Sequence, residues 1–369
     1  MRPASIDRPK LRRMDAGMKI GVMLPNWIGD LAMATPALRA LRNHFADAEI
    51  TGIIRPYATS VLEGTNWLDR TLLWEHRGRS PSWVGRWATA IGDLRRSQFD
   101  ILLLLRNSFF TGLTASLAGA KRTIGFQHNA RGWLLTDPVA PPNGGDRSIP
   151  ISAVDWYLEL TYALGCPRES RQLELRTLDR DDDTADVVWR RLRLPHGDRV
   201  VMLNTGGAYG AAKHWPTESY VQLARRIVDE LGLHVLVNCG PRERDTAAAI
   251  ERACSHPHIR SLADERDLPL GLTKACIERS RLLVTTDSGP RHLAAGLGTP
   301  VVALFGPIDP RWSENYQPSE IQLQLDLPCS PCGRRICPLG HHRCMRDMTV
   351  ARVFQAVERQ LQRSLAPAA

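Results

Sequence analysis

A polar turn in the last third of the chain has the residue types of a phosphate-binding site. Asp287, Ser288 and Gly289 end a short apolar run, and a helical pattern that contains His292 begins directly after them. This order places the free N–H groups of the helix at the carboxyl end of a strand, where anions bind in open α/β sheets. The alternative is structural, because Asp287 or Ser288 could serve only as the N-cap of that helix.

A second polar loop, residues 204–216, contains a single lysine, and we call it the lysine loop. It includes Thr205 and Gly206 and reaches Lys213 through small residues. A lysine there can meet a diphosphate as a point charge, although it could also be a solvated loop residue. The loop lacks the GxxxxGKS or GxxxxGKT pattern of P-loops and a GxGxxG pattern in the right context, so neither site type is indicated. Glu243, after a later strand, could accept hydrogen bonds from ribose hydroxyls.

Asp30 is the candidate for proton transfer. It follows the first apolar run of the chain and opens the next helical pattern. An ionised carboxylate in this place can take a proton from an attacking hydroxyl group as a general base. A carboxylate in the first turn of a helix is also favoured by the helix dipole alone. Asp30 therefore has a catalytic and a structural interpretation.

Four cysteines lie near the carboxyl end, in a stretch that we call the cysteine segment, residues 329–344. One CxxC pair and two further cysteines suit a structural zinc ion, which takes four thiolates in a tetrahedral site. Such a site leaves no position for a substrate. Reduced thiols held by ordinary packing are the alternative, and the spacing does not decide between them. The candidate ligands are Cys329, Cys332, Cys337 and Cys344.

The pattern of elements places these loops in two similar α/β halves. Short apolar runs alternate with helical patterns, as in doubly wound domains with parallel sheets. The sequence predicts a disordered tail at 1–17, a first Rossmann-like domain at 18–175, a second at 176–345 and a terminal helical region at 346–369. Residues 31–45 carry apolar residues on one helical face and predict a single helix.

The composition is that of a globular protein with a basic surplus. The chain has 369 residues, 43% hydrophobic and 24% charged, which is ordinary for two domains. No apolar run reaches the length of a membrane span, and no apolar stretch of a secretory signal follows the basic tail. The net charge of +9 suits phosphorylated small molecules, anionic lipid surfaces or nucleic acid. A non-catalytic nucleic-acid or anionic-surface binder is disfavoured, because no binding motif accompanies the charge.

Three stretches together resemble the family 9 glycosyltransferases, the bacterial ADP-heptose:lipopolysaccharide heptosyltransferases. They are LPNWIGDLAMATPALRALR at 24–42, AAKHWP at 211–216 and TTDSGPRHLAAGLGTPVVALFGP at 285–307. Each stretch is weakly specific alone, but all three in this order at two-domain spacing make a strong match. The opening PNWIGD is most similar to the heptosyltransferase II branch of the family.

The resemblance implies a GT-B fold, in which two Rossmann-like domains face a cleft. It also implies an inverting transfer, without a catalytic metal, from ADP-L-glycero-D-manno-heptose to the first heptose of the lipopolysaccharide inner core on Kdo-lipid A. Another sugar donor or acceptor within the family is the alternative. By family position Asp30 matches the base and Lys213 the lysine at the donor diphosphate. The implied donor site comprises Thr205, Gly206, Lys213, Glu243, Asp287, Ser288, Gly289 and His292.

The same resemblance implies a place in the cell and a role for the last helix. The enzyme is expected in the cytoplasm, peripheral to the inner membrane, whose anionic surface attracts basic side chains. The candidates for that attraction are Arg55, Lys121, Arg122 and Arg131. The terminal helix is expected to pack back on the first domain, as in other GT-B proteins. No nucleic-acid partner is implied.

Overall fold

The computed structural model describes residues 17–74, 83–146, 148–207 and 209–363, and the chain divides into two units. The first unit ends at Arg171 and the second begins at Gln172, a few residues before the predicted boundary. The short stretch Ser60–Gly64 belongs to the second unit, although it comes earlier in the chain. Except for Gly17, the predicted tail lies outside the described residues.

The first unit alternates strands and helices as the apolar runs predicted. Its elements are β1 (Lys19–Met23), α1 (Ile28–Met33), α2 (Thr35–His44), β2 (Glu49–Ile54), β3 (Arg70–Leu73), α4 (Trp83–Ser97), β4 (Ile101–Leu104), α5 (Phe109–Ala118), β5 (Arg122–Phe126), β6 (Asp137–Val139) and α6 (Ala153–Ala163). Helix α3 (Thr59–Leu62) follows β2 in the chain, but from Ser60 onward it falls in the second unit. The six strands form one parallel sheet in the order β3-β2-β1-β4-β5-β6. The central strands β1 and β4 are almost entirely buried, as expected for a sheet covered on both faces.

The prediction of a single helix at residues 31–45 is wrong. Helix α1 ends at Met33 and α2 begins at Thr35, with Pro36 in its first turn. Proline lacks a backbone N–H and clashes with the preceding turn, so it begins a helix more readily than it continues one. The sequence contained this signal, and the break leaves Asp30 in a short helix of its own.

The second unit repeats the architecture of the first. Its elements are α7 (Asp179–Arg191), β7 (Val200–Asn204), α8 (Thr217–Leu231), β8 (His234–Asn238), α9 (Arg244–Cys254), β9 (Ile259–Ser261), α10 (Leu270–Arg279), β10 (Leu282–Thr286), α11 (Gly289–Leu297), β11 (Val301–Phe305), β12 (Glu320–Gln324), α12 (Arg343–Arg346) and α13 (Val350–Arg363). Its six strands are also parallel, in the order β12-β11-β10-β7-β8-β9.

The terminal helix α13 groups with the second unit, and its packing on the first domain stays a prediction. It lies against α8 and the strands β10 to β12. Its apolar face, with Val353, Phe354 and Val357, is almost completely buried there. The guanidinium of Arg226 on α8 covers the ring of Phe354 at 3.9 Å. Burial of this face explains why the helix stays with the sheet that precedes it in the chain.

Each sheet reverses its strand order at one point. The reversal lies between β1 and β4 in the first sheet and between β7 and β10 in the second. Ligands of open α/β sheets bind beyond the carboxyl ends of the strands at such a point. The loops that follow β1, β7 and β10 are the three that the sequence singled out for chemistry, so the fold places them where ligands are expected.

Candidate functional site

The reversal point of the first sheet holds a cavity of about 270 Å³ beside Asp30. Its walls come from the loop after β1, the loop after β4 and helix α6. Ligand pockets usually measure roughly 300–1,000 Å³, so this volume suits one sugar unit better than a large ligand. The lining combines aromatic rings with hydrogen-bonding groups, among them Asn26, Trp27, Asp30, Arg106, Asn107 and Tyr157.

Asp30 lies in the first turn of α1 and is partly buried. The helix dipole favours its ionised form there. Burial, and after it the negative charge of Asp30, raises the pKa of Tyr157 well above its usual value, so this phenol keeps its proton beside the carboxylate. A carboxylate on the wall of an open cavity can accept a proton from a bound hydroxyl group. The structural interpretation of Asp30 therefore holds, because the residue lies in the first turn of a helix. The catalytic interpretation also stays possible for its carboxylate, because that residue lines a cavity that a ligand can enter.

Sequence reasoning missed Arg106, Asn107 and Tyr157 in this cavity. Arg106 donates to the backbone carbonyls of Leu24 and Ile53, and so ties the loop after β4 to the ends of β1 and β2. No spacing in the sequence joins these residues to Asp30. The usable signal was the apolar run at residues 101–104, because its strand is the neighbour of β1 and the loops after both must meet.

The lysine loop and the Asp287 turn meet at the reversal point of the second sheet through a buried ion pair. Lys213 Nζ lies 2.6 Å from Asp287 Oδ2 and also donates to the Asp287 carbonyl at 2.7 Å. The Lys213 side chain is 11% exposed and the Asp287 side chain 6%. The alternative of a solvated loop lysine is therefore wrong.

Arg291 and Glu320 extend this ion pair into a network that sequence reasoning missed. Arg291 is fully buried, donates to Asp287 Oδ1 at 3.3 Å and contacts Glu320 Oε1 at 2.8 Å. Burial alone would raise the pKa of Asp287, but Lys213 and Arg291 bring it down to about 2. Two cations and two carboxylates thus balance. Glu320 comes from β12, 29 positions after Arg291, so sequence spacing gave no signal for the pair.

The N-cap interpretation of the turn fits the position of Ser288 but not its contacts. Ser288 precedes α11, yet its side chain caps no backbone N–H. Its hydroxyl instead lies 3.2 Å from Asn204 Nδ2 and 3.1 Å from Thr285 Oγ1. Gly289 then begins α11, followed by Pro290, which has no N–H, and by Arg291, whose N–H donates to the Ser288 carbonyl at 3.1 Å. The positive end of the helix dipole therefore lies at the Asp287 turn, whose carbonyl accepts from Lys213.

Glu243 lies directly over Gly206 of the lysine loop. A β-carbon at Gly206 would be 2.5 Å from Glu243 Cγ, so the close approach requires glycine. Glu243 precedes α9 but makes no side-chain capping bond. Its carboxylate therefore lies beside the lysine loop without serving the helix. The structure brings these two predicted donor-site residues together.

Four of the nine buried side-chain polar atoms without a hydrogen-bond partner in the described residues come from the ends of β7, β8 and β10 and from α11. They are Thr205 Oγ1, Asn238 Oδ1, Thr286 Oγ1 and His292 Nδ1. The other ring nitrogen of His292 lies 3.9 Å from Asp287 Oδ1. Burial and the charge of Arg291 lower the pKa of His292 to about 3, so its ring is neutral near pH 7. Buried polar groups are normally partnered, so these four atoms point to a polar ligand or ordered water beside them.

The cysteine segment contributes four thiols that do not assemble a metal site. Across the described ranges, no group of three or more His, Cys, Asp or Glu side chains is arranged to hold a metal ion. All four thiols are free. Burial, and then the charges of Cys332, Cys337 and Cys329, raise the pKa of Cys344. The zinc ion stays a prediction.

Comparison with known proteins adds the family. The profile of glycosyltransferase family 9 (heptosyltransferase) matches residues 87–342. Lipopolysaccharide heptosyltransferase 2 of Escherichia coli strain K12 is 25% identical over 364 residues, covering 92% of this chain and 97% of that protein. Lipooligosaccharide heptosyltransferase 2 of Campylobacter jejuni serotype O:2 is 23% identical over 350 residues, covering 94% and 99%.

A solved structure agrees with the sequence matches. The structure of E. coli ADP-heptose lps heptosyltransferase II has a TM-score of 0.77 at 24% identity, covering 95% of this chain and all of that chain. This likeness confirms the predicted GT-B type of fold with two Rossmann-like domains. Because the family profile matches well over half of the sequence, the chain belongs to glycosyltransferase family 9.

Proposed function

We propose that this glycosyltransferase moves heptose from ADP-L-glycero-D-manno-heptose to the lipopolysaccharide inner core, with the first heptose on Kdo-lipid A as the acceptor. The two relatives are named for heptosyl transfer in lipopolysaccharide and lipooligosaccharide, and the name of the E. coli enzyme of solved structure includes ADP-heptose. One observation in this chain carries the proposal. The three family stretches place Asp30 and the Lys213–Asp287 pair at the reversal points of the two sheets.

Asp30 is the proposed general base. The acceptor hydroxyl oxygen attacks the anomeric carbon of the donor heptose, and the bond from that carbon to the diphosphate oxygen breaks. ADP leaves with the electron pair of that bond, and the hydroxyl proton passes to the Asp30 carboxylate. One displacement inverts the configuration at the anomeric carbon. The cavity beside Asp30 supports this role, because Trp27 offers a ring face and Asn26 a hydrogen-bonding group to a sugar.

Lys213 and the start of α11 are proposed to bind the donor diphosphate. Negative charge grows on the leaving diphosphate, and fixed donors aimed at it stabilise the transition state. Lys213 supplies a full charge in a site where Asp287 holds the ammonium group in place. The N-terminal end of α11 adds the positive end of a helix dipole. We propose that these groups meet the charge of ADP without a catalytic metal, and that Glu243 contacts the nucleoside.

The cysteine segment is proposed to hold a structural zinc ion. Cys329, Cys332, Cys337 and Cys344 have the donor chemistry of a four-thiolate site, and they lie within one stretch of sixteen residues. In this site the metal would hold the segment together and would take no part in sugar transfer. The expected consequence of metal removal is a loss of stability rather than a slower reaction of the folded enzyme.

The proposed place of work is the cytoplasmic surface of the inner membrane. No helix in the described residues is long and apolar enough to cross a membrane, so binding would be peripheral. The predicted basic contacts need revision. Arg131 is fully buried and donates to the Phe126 carbonyl at 3.0 Å, so it cannot face a bilayer. Lys121 and Arg122 are paired with carboxylates, Asp100 and Asp137. Both basic side chains are nevertheless exposed, so Lys121 and Arg122 stay candidates for that attraction, as does Arg55.

Transfer by the purified protein tests the proposal. ADP-heptose and heptosyl-Kdo-lipid A should give a product one heptose heavier by mass spectrometry, and other nucleotide sugars should give less. Product from a different donor or acceptor would agree with the family assignment but would contradict the proposed substrates. A melting temperature raised by ADP, but not by DNA, is expected for the transferase. A shift with DNA alone would instead favour the non-catalytic binder.

A further inference from the structure

The cysteine segment contacts the lysine loop directly. Tyr209 Oη donates to the Gly333 carbonyl at 2.7 Å, and the Ala212 backbone N–H donates to the Arg335 carbonyl at 3.0 Å. The Arg335 guanidinium also lies over the Tyr209 ring, 5.3 Å from its centroid. Side chain, backbone and ring therefore join the two stretches at adjoining points, although well over a hundred positions separate them in the chain.

The segment is itself fastened to the end of β11. Gly333 donates its N–H to the Pro307 carbonyl at 2.7 Å, and Ser330 Oγ donates to the Gly306 carbonyl at the same distance. These bonds fix the segment to the edge of the second sheet where α11 also begins. The segment can therefore act as a rigid support for whatever loop rests on it.

The middle of the lysine loop can gain from such a support. Residues 206–211 are glycine and alanine except for Tyr209, and such residues offer little apolar surface for packing. Lys213 Nζ lies 4.6 Å from the centroid of the same Tyr209 ring that Arg335 covers. The ring thus sits in contact with the ammonium group that we assign to the donor diphosphate. Movement of Tyr209 would move the surroundings of that charge.

We propose that Tyr209 and Arg335 are positioning residues for Lys213, and that the cysteine segment thereby sets the affinity for a nucleoside diphosphate. This inference rests on the proposed function of Lys213. It gives the cysteine segment a role in donor binding that does not depend on the identity of any bound metal. Gly210 marks the contact most sharply, because a β-carbon there would lie 2.6 Å from the Arg335 carbonyl oxygen.

Four substitutions test the support, with ADP affinity by calorimetry as the main measurement. Tyr209→Leu removes the ring, Arg335→Ala removes the guanidinium, and Gly210→Ala pushes the segment away without removing any side chain. Each should weaken ADP binding by about fivefold to thirtyfold, the scale of a partly desolvated cation–ring contact. Arg334→Ala changes the neighbouring exposed arginine and should leave ADP affinity unchanged. In the three variants that weaken ADP binding, the KM for the sugar donor should rise and the KM for the acceptor should stay constant.

Amide hydrogen exchange of Ala212 in the free protein separates positioning from direct contact. Its N–H donates to Arg335, so exchange should become faster in Tyr209→Leu and Gly210→Ala. Unchanged exchange and unchanged ADP affinity in both variants would overturn the inference and leave the proposed function intact. A Gly210→Ala protein with normal ADP affinity beside a weakened Tyr209→Leu protein would show that Tyr209 touches the ligand itself, which also overturns it. A parent protein that binds no ADP would overturn the inference and the proposed function together.

Discussion

The substitution Asp287→Asn tests the buried network of the second unit. It keeps the shape of the side chain and removes its charge. Lys213 then loses the carboxylate oxygen that lies 2.6 Å from its Nζ. Arg291 retains Glu320 at 2.8 Å and the carbonyl of Ser313 at 2.7 Å. The effect therefore falls mainly on Lys213, which is left charged in a site that water scarcely reaches.

Two arguments give the size of the effect. The pKa of Asp287 falls from 3.8 to about 2 on folding, and one pH unit is worth about 1.4 kcal/mol, so ionisation contributes on the order of 2 to 3 kcal/mol. Removing one partner of a buried ion pair costs about 3 to 5 kcal/mol, because the other charge stays buried. The second figure includes the stranded ammonium group. We expect a loss of about 3 kcal/mol near pH 7, since the backbone carbonyl of residue 287 still accepts from Lys213.

Urea unfolding at several pH values measures this loss. The folded pKa is below the unfolded value, so the contribution is fully present above about pH 4 and disappears as the pH falls towards 2. The difference in unfolding free energy between the parent and Asp287→Asn should therefore become smaller between about pH 4 and pH 2. Glu230→Gln is the control, because it breaks an exposed pair with Arg226 in the same unit and should cost far less stability than Asp287→Asn. The buried-network reasoning would be refuted if Asp287→Asn and Glu230→Gln lost equal stability. It would also be refuted if the stability difference between the parent and Asp287→Asn did not change with pH.

Four further predictions address the site. Asp30→Asn should lower kcat by about a hundredfold in steady-state kinetics and leave ADP affinity by calorimetry nearly normal. A near-normal kcat would mean that Asp30 is not the base. Lys213→Ala should weaken ADP binding and also lower kcat, because the diphosphate charge exists in both ground and transition states; unchanged calorimetry would remove the lysine from the donor site. Because the pKa of His292 is lowered on folding, the folded state binds fewer protons than the unfolded state below about pH 7. Between pH 7 and pH 5 the parent should therefore lose about 2 kcal/mol more stability than His292→Gln, as measured by urea unfolding. Elemental analysis after zinc-replete expression should find close to one zinc per chain, and a value under about 0.2 would exclude the structural site.

The strands were the most predictable part of the structure. Runs such as residues 282–286 and 301–305 are mostly apolar and bounded by turn residues, and both are strands with those bounds. A strand of this kind depends on burial, which local composition reveals. Strand β6 escaped prediction because its three residues, Asp137–Val139, include a proline and pair along a single edge with β5.

Partners were less predictable than positions. The sequence singled out Asp287 and Lys213. It did not single out Arg291, which also keeps Asp287 ionised, or Glu320 on β12, which pairs with Arg291. Such pairs are decided by which strand ends become neighbours, and local spacing carries no record of that choice. The same reason explains why Tyr157, brought to Asp30 by α6, was missed. The sequence also left open which part of the second unit covers α13, because an amphipathic pattern predicts a buried face but not the surface that buries it.

The charges at the two reversal points differ in a way that divides the chemistry between them. In the first unit Asp30 lines an open cavity beside a protonated phenol, so a carboxylate there can gain a proton from a ligand that enters. In the second unit Asp287 is held ionised by two cations and is buried, so it cannot exchange a proton with a substrate near pH 7. Its charge instead fixes Lys213. Two aspartates that follow strands in similar folds are therefore suited to opposite tasks, one to proton transfer and the other to holding a cation for an anionic leaving group.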